Sequence, residues 1–443
     1  MDAVLLARIQ FGFTAGFHFL FPPTTLGLTL IILILETLHL KTRSESYRTV
    51  SSFLIRVLGV VFVIGVATGI TLEFAFGNNW SNYARLVGDV FGAPLAAEAI
   101  FAFFLESAFL GILVFGRRKV SRGLYWLSSF LVFFGSHLSA LWIIVANSWM
   151  QTPEGFRMEG GRAVLTDFFR AAVNHSTAIR LGHTVAAAWI TGSLAAAAMA
   201  AWLILKKRST DLAGVLLRPA LVLFIVASLL QLGLGHLHSV QVARTQPEKM
   251  AAYEALWQTR TAAPFTVFGI PDEKNQKVHL QIAIPGMLSW LIHFDAEATV
   301  QGLNDFPARD RPPVFLPFVS YHVMILLGLV FIGVALWGFA LLIRKKAHAS
   351  RMYLKLLLLT VPLPYLANEL GWIGAEVGRQ PWAVFRVLRT AEAASPVVPA
   401  GQILFTLALF AVLYALIAAV GIRIIFRMVK KGPTLTEAGP HEG

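Results

Sequence analysis

The chain has 443 residues, 56% hydrophobic and only 14% charged. Soluble domains average about 25% charged residues, so the composition argues against a soluble globular protein and for one integral membrane body. The absence of cysteine removes disulfides, iron–sulfur clusters, thiolate-ligated haem and cysteine zinc sites, and the net charge of +13 is assigned to membrane-flanking loops and anionic lipid, not to nucleic acid.

A helix needs about 20 apolar residues to cross a bilayer. Nine runs meet this in chain order: 9–38, 53–76, 94–115, 123–148, 180–205, 217–237, 316–343, 353–376 and 401–426. Each is expected to be helical, because backbone groups in lipid must be bonded within the segment, whereas barrel strands would be shorter and alternating. The first run follows Arg8, far exceeds a signal-peptide core and has no small-residue cleavage site behind it, so it is expected to remain in the mature protein. Basic clusters hug alternate helix ends: Lys41, Arg43 and Arg48; Arg117, Arg118, Lys119 and Arg122; Lys206, Lys207, Arg208 and Arg218; Arg344, Lys345, Lys346, Arg351 and Lys355; and Arg423, Arg427, Lys430 and Lys431. The positive-inside rule makes these cytoplasmic, with the N-terminus outside and the C-terminus inside. The other connections (77–93, 149–179, 238–315 and 377–399) are longer and mixed in charge. The expected architecture is therefore an all-α integral membrane protein with nine transmembrane helices, a single polytopic domain over 1–443.

The connection at 238–315 lies within that domain and is the longest. It holds Pro247, Pro264, Pro271, Pro285, Pro307, Pro312 and Pro313, yet also Trp257, Phe265, Phe268 and Trp290. That aromatic content predicts a folded external lid, not disorder. No internal repeat is visible.

Polar residues inside spans mark function by default. His18, Glu73, Glu98, Glu106, His183, Met324, Glu369 and Glu376 mostly fall in the outer half of their spans. Such a layer would place several cofactors near an external reductant. His183 is flanked by Gly182, Ala186, Ala187, Ala188 and Gly192, small residues that serve either a flat ligand or close helix packing. Pro22 removes a donor that the His18 carbonyl would otherwise accept from. Imidazole, thioether and carboxylate are all ligand types for haem iron, although a lone intramembrane histidine is as readily a packing residue and a lone methionine is usually core filler. His236 and His238, near a helix end, read as solvated or lid-packing residues rather than a metal pair.

The stretches GFHFLFPPTTLG (16–27), GVATGITLEFAFGNNW (65–80), FGAPLAAEAIFAFFLES (91–107), SHLSALWIIVANSWMQTP (136–153), GHTVAAAWITG (182–192) and GWIGAEVGRQPW (371–382) resemble subunit I of cytochrome bd quinol oxidases, of the type with a short quinol loop. The resemblance runs along nearly the whole chain. It implies a haem-containing subunit of a terminal respiratory oxidase in the bacterial inner membrane, which oxidises quinol, reduces dioxygen to water with cytoplasmic protons and builds a proton-motive force. Its implied cofactors are a low-spin haem b, a high-spin haem b and a haem d, or haem b in its place. Its implied partners are a homologous membrane subunit II and a small single-helix subunit.

Residue by residue, His183 and Met324 match the axial ligands of the low-spin haem. His18 matches the ligand of one high-spin haem and Glu376 the carboxylate at the other. Glu98 and Glu106 match carboxylates near the dioxygen site and on its proton path, with Ser139 as a further step. Lys249 and Glu254 match the quinol-loop pair, and Arg379 matches the GRQPW arginine near haem propionates. One departure stands out: His322 occupies the position, two residues before Met324, where the family commonly has arginine. A secondary transporter would share intramembrane carboxylates but usually shows inverted repeats; a haem-free scaffold subunit is the third class.

Overall fold

The computed structural model describes residues 2–434, the side chains at 93, 94, 97, 99 and 101 excepted. The extreme C-terminus, expected inside, lies outside the described residues. Helix α1 (Ala3–Phe19) is capped by the Asp2 carboxylate, which accepts from the Val4 and Leu5 amides. Helix α2 (Pro22–Thr42) opens on two prolines, which tolerate the first helical turn because its amides have no partner there. The predicted first run is thus two helices. The His18 carbonyl is not left bare by Pro22: the Phe21 amide closes onto it at 3.1 Å.

Helix α3 (Glu45–Asn79) leads into α4 (Ser81–Ala97), a π-helical turn (Glu98–Phe103) and α5 (Phe104–Phe115). Next come α6 (Arg122–Gln151), a hairpin of β1 (Phe156–Glu159) and β2 (Arg162–Leu165), and α7 (Phe168–Ala172). Helices α8 (Thr177–Leu205) and α9 (Thr210–Thr245) pack along each other. The long connection is folded, as expected. It contains α10 (Pro247–Tyr253), β3 (Arg260–Thr261), the β4 (Phe265–Asp272)–β5 (Lys277–Ile284) hairpin, α11 (Met287–His293) and β6 (Thr299–Val300), which pairs with β3. Helix α12 (Phe315–Ile343) follows, then α13 (Arg351–Thr360) and α14 (Pro362–Val377), split at a proline pair. A small hairpin of β7 (Trp382–Val384) and β8 (Leu388–Arg389), the turn α15 (Thr390–Ala393) and α16 (Ala400–Lys431) complete the chain.

Among the described residues, eight helical segments are long and apolar enough to cross a membrane. The predicted run at 94–115 is the exception, because it is divided between the end of α4, the π turn and α5, which leaves Phe104–Phe115 as a short apolar helix. The core lies where α2, α3, α8, α9 and α12 meet, around Leu28, Ile31, Leu54, Leu194, Phe224 and Phe331. The alanine run of α8 is explained there: Ala196, Ala197, Ala200 and Ala201 are fully buried, which lets α8 lie close to α2 and α9. The rim presents Phe74, Phe104, Phe115, Leu329, Leu359, Phe405 and Ile422 outward, apolar side chains that suit acyl chains or another apolar subunit.

The two ends of the bundle differ. At one, basic turns bond to their neighbours: Arg117 to Glu36 at 2.5 Å, and Arg208 to the Lys430 carbonyl at 2.7 Å. At the other, the folded loop sits on the ends of α6, α9, α12 and α14.

Candidate functional site

One group of the singled-out residues gathers toward the loop end. Glu376 is the hub. It projects from the last turn of α14, and its Oε2 pairs with Arg379 Nη2 at 2.5 Å. Its Oε1 accepts from Asn147 Nδ2 at 3.0 Å and Gln151 Nε2 at 3.1 Å, both from the last turns of α6. Arg180, in the first turn of α8, donates to Asn147 Oδ1. Lys249, from α10 of the loop, donates to Gln151 Oε1 at 2.5 Å. Lys249, Arg180 and Arg379 are at most 5% exposed. Burial, followed by the Arg180 and Arg379 charges, pushes the Lys249 amine well below its ordinary range. Arg180 Nε, Arg379 Nη1 and Trp382 Nε1 are buried with no hydrogen-bond partner.

Lys249 and Glu254 do not pair with each other. Glu254 turns toward α12 and the hairpin: its Oε2 accepts from the Thr266 amide at 3.3 Å and lies 3.8 Å from His322 Nε2. Glu254 Oε1 and His322 Nε2 are both buried without a partner. The Glu254 carboxyl is pushed up to about 8 by burial, against the Thr266 hydrogen bond. His322 Nδ1 bonds the Phe318 carbonyl at 2.8 Å, and its ring lies by Phe318 and Phe265.

His183 and Met324 come from α8 and α12, which both pack on α9. Each meets bare backbone: a Cβ at Gly371 would stand 3.1 Å from Met324 Sδ, and one at Gly235 would stand 3.7 Å from His183 Cε1. The Gln231 amide nitrogen lies 3.1 and 3.2 Å from the two His183 ring nitrogens. His238, expected to be solvated or packed in the lid, is half-buried, with its ring 5.1 Å from that of His183 and its enclosed Nε2 unpartnered. His236 packs on Phe294 of the lid.

A second group lies around α1, the π turn and α6. His18 Nδ1 is 3.0 Å from Thr68 Oγ1, and its ring faces Gly69, where a Cβ would stand 3.1 Å away. Glu98 begins the π turn and accepts from Ser139 Oγ of α6 at 2.7 Å. Such turns aim a side chain off the regular helical register. Glu106 is buried in α5, its Cβ 3.3 Å from where a Gly135 Cβ would lie. Glu369 approaches Gly16 of α1 and keeps a buried, unpartnered Oε1. His137 is fully occupied by the Phe133 carbonyl and Trp189 Nε1, at 2.8 and 2.9 Å.

Among the described residues, no three His, Cys, Asp or Glu side chains form a cluster able to hold a bare metal ion. The donor set fits haem instead. Imidazole and thioether supply axial ligands, glycine backbone leaves space against them, and orphaned buried cationic donors await an anionic acceptor. Arg180, Asn147, Gln151 and Trp382 were not singled out from the sequence. Arg180 carried only the signal of an arginine at the start of an apolar span.

Residues 6–433 match the family model described as cytochrome bd terminal oxidase subunit I. Cytochrome bd ubiquinol oxidase subunit 1 of Bacillus subtilis (strain 168) is 39% identical over 98% of this chain and 94% of its own. Cytochrome bd-II ubiquinol oxidase subunit 1 of Escherichia coli (strain K12) is 33% identical over 99% and 98%. The solved structure of bd oxidase from Geobacillus thermodenitrificans superposes with a TM-score of 0.91 at 31% identity, covering 98% of this chain and 99% of that one.

Proposed function

The chain belongs to the cytochrome bd terminal oxidase subunit I family, and from that premise we propose how its residues divide the work of a quinol:dioxygen oxidoreductase in the bacterial inner membrane. The family carries haem, and its subunit I works with at least one further subunit. The finer reading gives this chain a low-spin haem b, a high-spin haem b and a haem d or a haem b in its place, with a homologous subunit II and a small single-helix subunit beside it. It is one polytopic domain over 1–443, with 238–315 as the external quinol loop. Nine crossings are supported by the α4–α5 run. Near its start Asn82 bonds the Glu392 carbonyl at 3.1 Å, and just past its end Arg117 pairs with Glu36 at the opposite, basic end.

Two quinols supply the four electrons and release four protons; dioxygen takes up four electrons and four protons to give two waters. Haem iron, when bound, supplies the one-electron and dioxygen chemistry that side chains cannot. His183 and Met324 would hold the low-spin haem. His18 and Glu376 would hold the other two.

The observation that carries this reading is the hydrogen-bonded path from Lys249 of the loop through Gln151 to Glu376. It joins the place where quinol would arrive to the residues that would hold haem. Glu254, pushed up to about 8 by burial, binds and releases a proton near neutral pH and is placed to take one from quinol. Lys249 orients the loop helix over the bundle. Arg379 neutralises Glu376. Glu106, Ser139 and Glu98 would hand protons from the cytoplasmic side inward, and the 2.7 Å Ser139–Glu98 contact supports the last step.

Replacing Glu254 by alanine in the intact oxidase is the test. Quinol oxidation should fall at least about a hundredfold, the lower end of the usual range for losing a general acid–base group, while turnover with an artificial donor to the haems persists. Equal loss of both activities would make Glu254 a structural residue.

A further inference from the structure

Three buried cations, Lys249, Arg180 and Arg379, surround one carboxylate, Glu376. A further buried carboxylate, Glu248, pairs through Oε1 with Arg386 at 3.1 Å, and its Oε2 is buried without a partner. Cationic groups therefore outnumber carboxylates here, and the three cationic side chains are themselves buried. A buried charge left unpaired is among the most costly arrangements in a protein. The hydrogen-bond inventory has the same gap: Arg180 Nε, Arg379 Nη1 and Trp382 Nε1 are buried donors with no acceptor. Orphaned donors of one sign, clustered with uncompensated charge, call for an anion that brings several acceptor oxygens.

Position identifies it. Arg180 and His183 are three residues apart on α8, so they share a face, about 4.5 Å apart along the axis. Arg180 is the outer of the two. A flat group held at its centre by His183, with acidic arms toward the loop, would place those arms among the three cations. A haem carries two propionates, which would bring negative charge to the arginines and favour the protonated form of Lys249. Quinol is neutral and would leave the excess in place.

We propose that Arg180, Arg379 and Lys249, with Trp382 Nε1, form a cationic box that receives the propionate carboxylates of the haem held by His183. This rests on the haem reading above. The box extends beyond the GRQPW arginine to a helix-start arginine and a lysine of the loop. Lys249 thereby ties the loop to the prosthetic group. The bond to Gln151 that it shows here aims it at the same cluster.

The test uses the whole oxidase with haem carrying 13C at the propionate carboxyls. Redox-induced infrared difference spectra isolate the labelled bands, and a redox titration gives the low-spin midpoint. In Arg180→Gln and in Lys249→Gln the labelled bands of the low-spin haem should shift and its midpoint should fall, because a lost positive charge no longer stabilises the reduced form. Arg180→Lys should restore the midpoint while leaving the bands displaced, since ammonium keeps the charge but not the planar fork. Bands and midpoint superimposable on wild type in both glutamine variants overturn the proposal. So do changes confined to a high-spin haem. Should the glutamine variants fail to assemble, Arg180→Lys and Lys249→Arg decide the matter by the bands alone: displaced bands support the box and unmoved bands overturn it. A wild-type enzyme without a low-spin haem would instead sink the haem reading, before any variant is made.

Discussion

Glu254 illustrates how a single buried side chain sets a pH response. Its carboxyl titrates at about 8 in the folded loop, against an ordinary 4.5, because burial penalises the charge. Between those values the folded loop keeps a proton that the unfolded loop has lost, so loop stability is complete below the lower value and declines as pH rises through the upper one. Limited proteolysis within 246–314 should therefore speed up from about pH 5 to about 8.5, after correction for the protease's own pH profile, and the trend should flatten in Glu254→Gln. A slope unchanged in that variant would assign the effect to another group. Met324 offers a cleaner separation of packing from ligation. Leucine fills nearly the same volume at a cost usually under about 1.5 kcal/mol, so Met324→Leu should fold, lose the low-spin haem band and keep the high-spin bands. His183→Ala should lose the same band. A normal low-spin spectrum in both would end the assignment. At this scale the sequence was informative about residue types and poor about partners. Lys249 and Glu254 were expected as a pair, yet Lys249 reaches Gln151 and Glu254 faces His322. Five residues apart along a short helix and its end, they point apart, and no spacing rule supplies the tertiary partners. Arg180 was passed over and His238 was read as solvated or lid-packing, because an isolated charge or imidazole at a helix end is usually solvated; here Arg180 is buried and the His238 Nε2 is enclosed.

At the scale of elements, prolines and small residues were legible and helix register was not. Pro22 and Pro362 open new helices inside two apolar runs, as fixed φ and a missing amide require. The π turn at Glu98–Phe103 has no hydropathy signature, because inserting a wide turn changes which face a residue occupies and not its polarity. The small residues after His183 were ambiguous between a flat ligand and close packing. For Gly192 the answer is packing: a Cβ there would lie 2.5 Å from Gly27 Cα, and one on Gly27 would lie 2.6 Å from Gly192 Cα. Helices α2 and α8 therefore cross backbone to backbone. Gly192→Ala must push them apart, at a cost typical of overpacking, about 1–3 kcal/mol. Lower yield and a lower Tm of the purified oxidase are expected. Gly214 in α9 is the control, with nothing within 4 Å of its added Cβ; Gly214→Ala should leave Tm unchanged or slightly raised. Equal effects at both positions would mean that the crossing is not tightly packed.

For the whole molecule, the alternation of loop charge predicts sides, and the hydrogen bonds agree on which termini lie together. The α2 and α5 ends meet through Glu36 and Arg117, and the α8 end meets the α16 end through Arg208 and Lys430. At the other end the α6 terminus meets α10 through Gln151 and Lys249, and the α3 terminus meets the segment before α16 through the Asn79 carbonyl and the Ser395 amide at 2.8 Å. These contacts require an odd number of crossings from α1 to α16 only if the α4–α5 run is one of them. Helix α5, Phe104–Phe115, is 12 residues long, about 18 Å at 1.5 Å per residue, against a hydrocarbon core of about 30 Å. The π turn and the end of α4 must supply the remaining depth, with Glu98 inside the membrane region and bonded to Ser139. The chain contains no cysteine, so single introduced cysteines report without background from this subunit. Lys119→Cys and Lys207→Cys should react with a membrane-impermeant maleimide only in inverted vesicles, and Lys274→Cys in the loop hairpin only in spheroplasts. Asn82→Cys decides the count: it should label with Lys274→Cys, because the α4–α5 run carries the chain across to Lys119. Labelling of Asn82→Cys on the same side as Lys119→Cys would reduce the crossings to eight and place Glu98 and Glu106 off the proton path assigned to them.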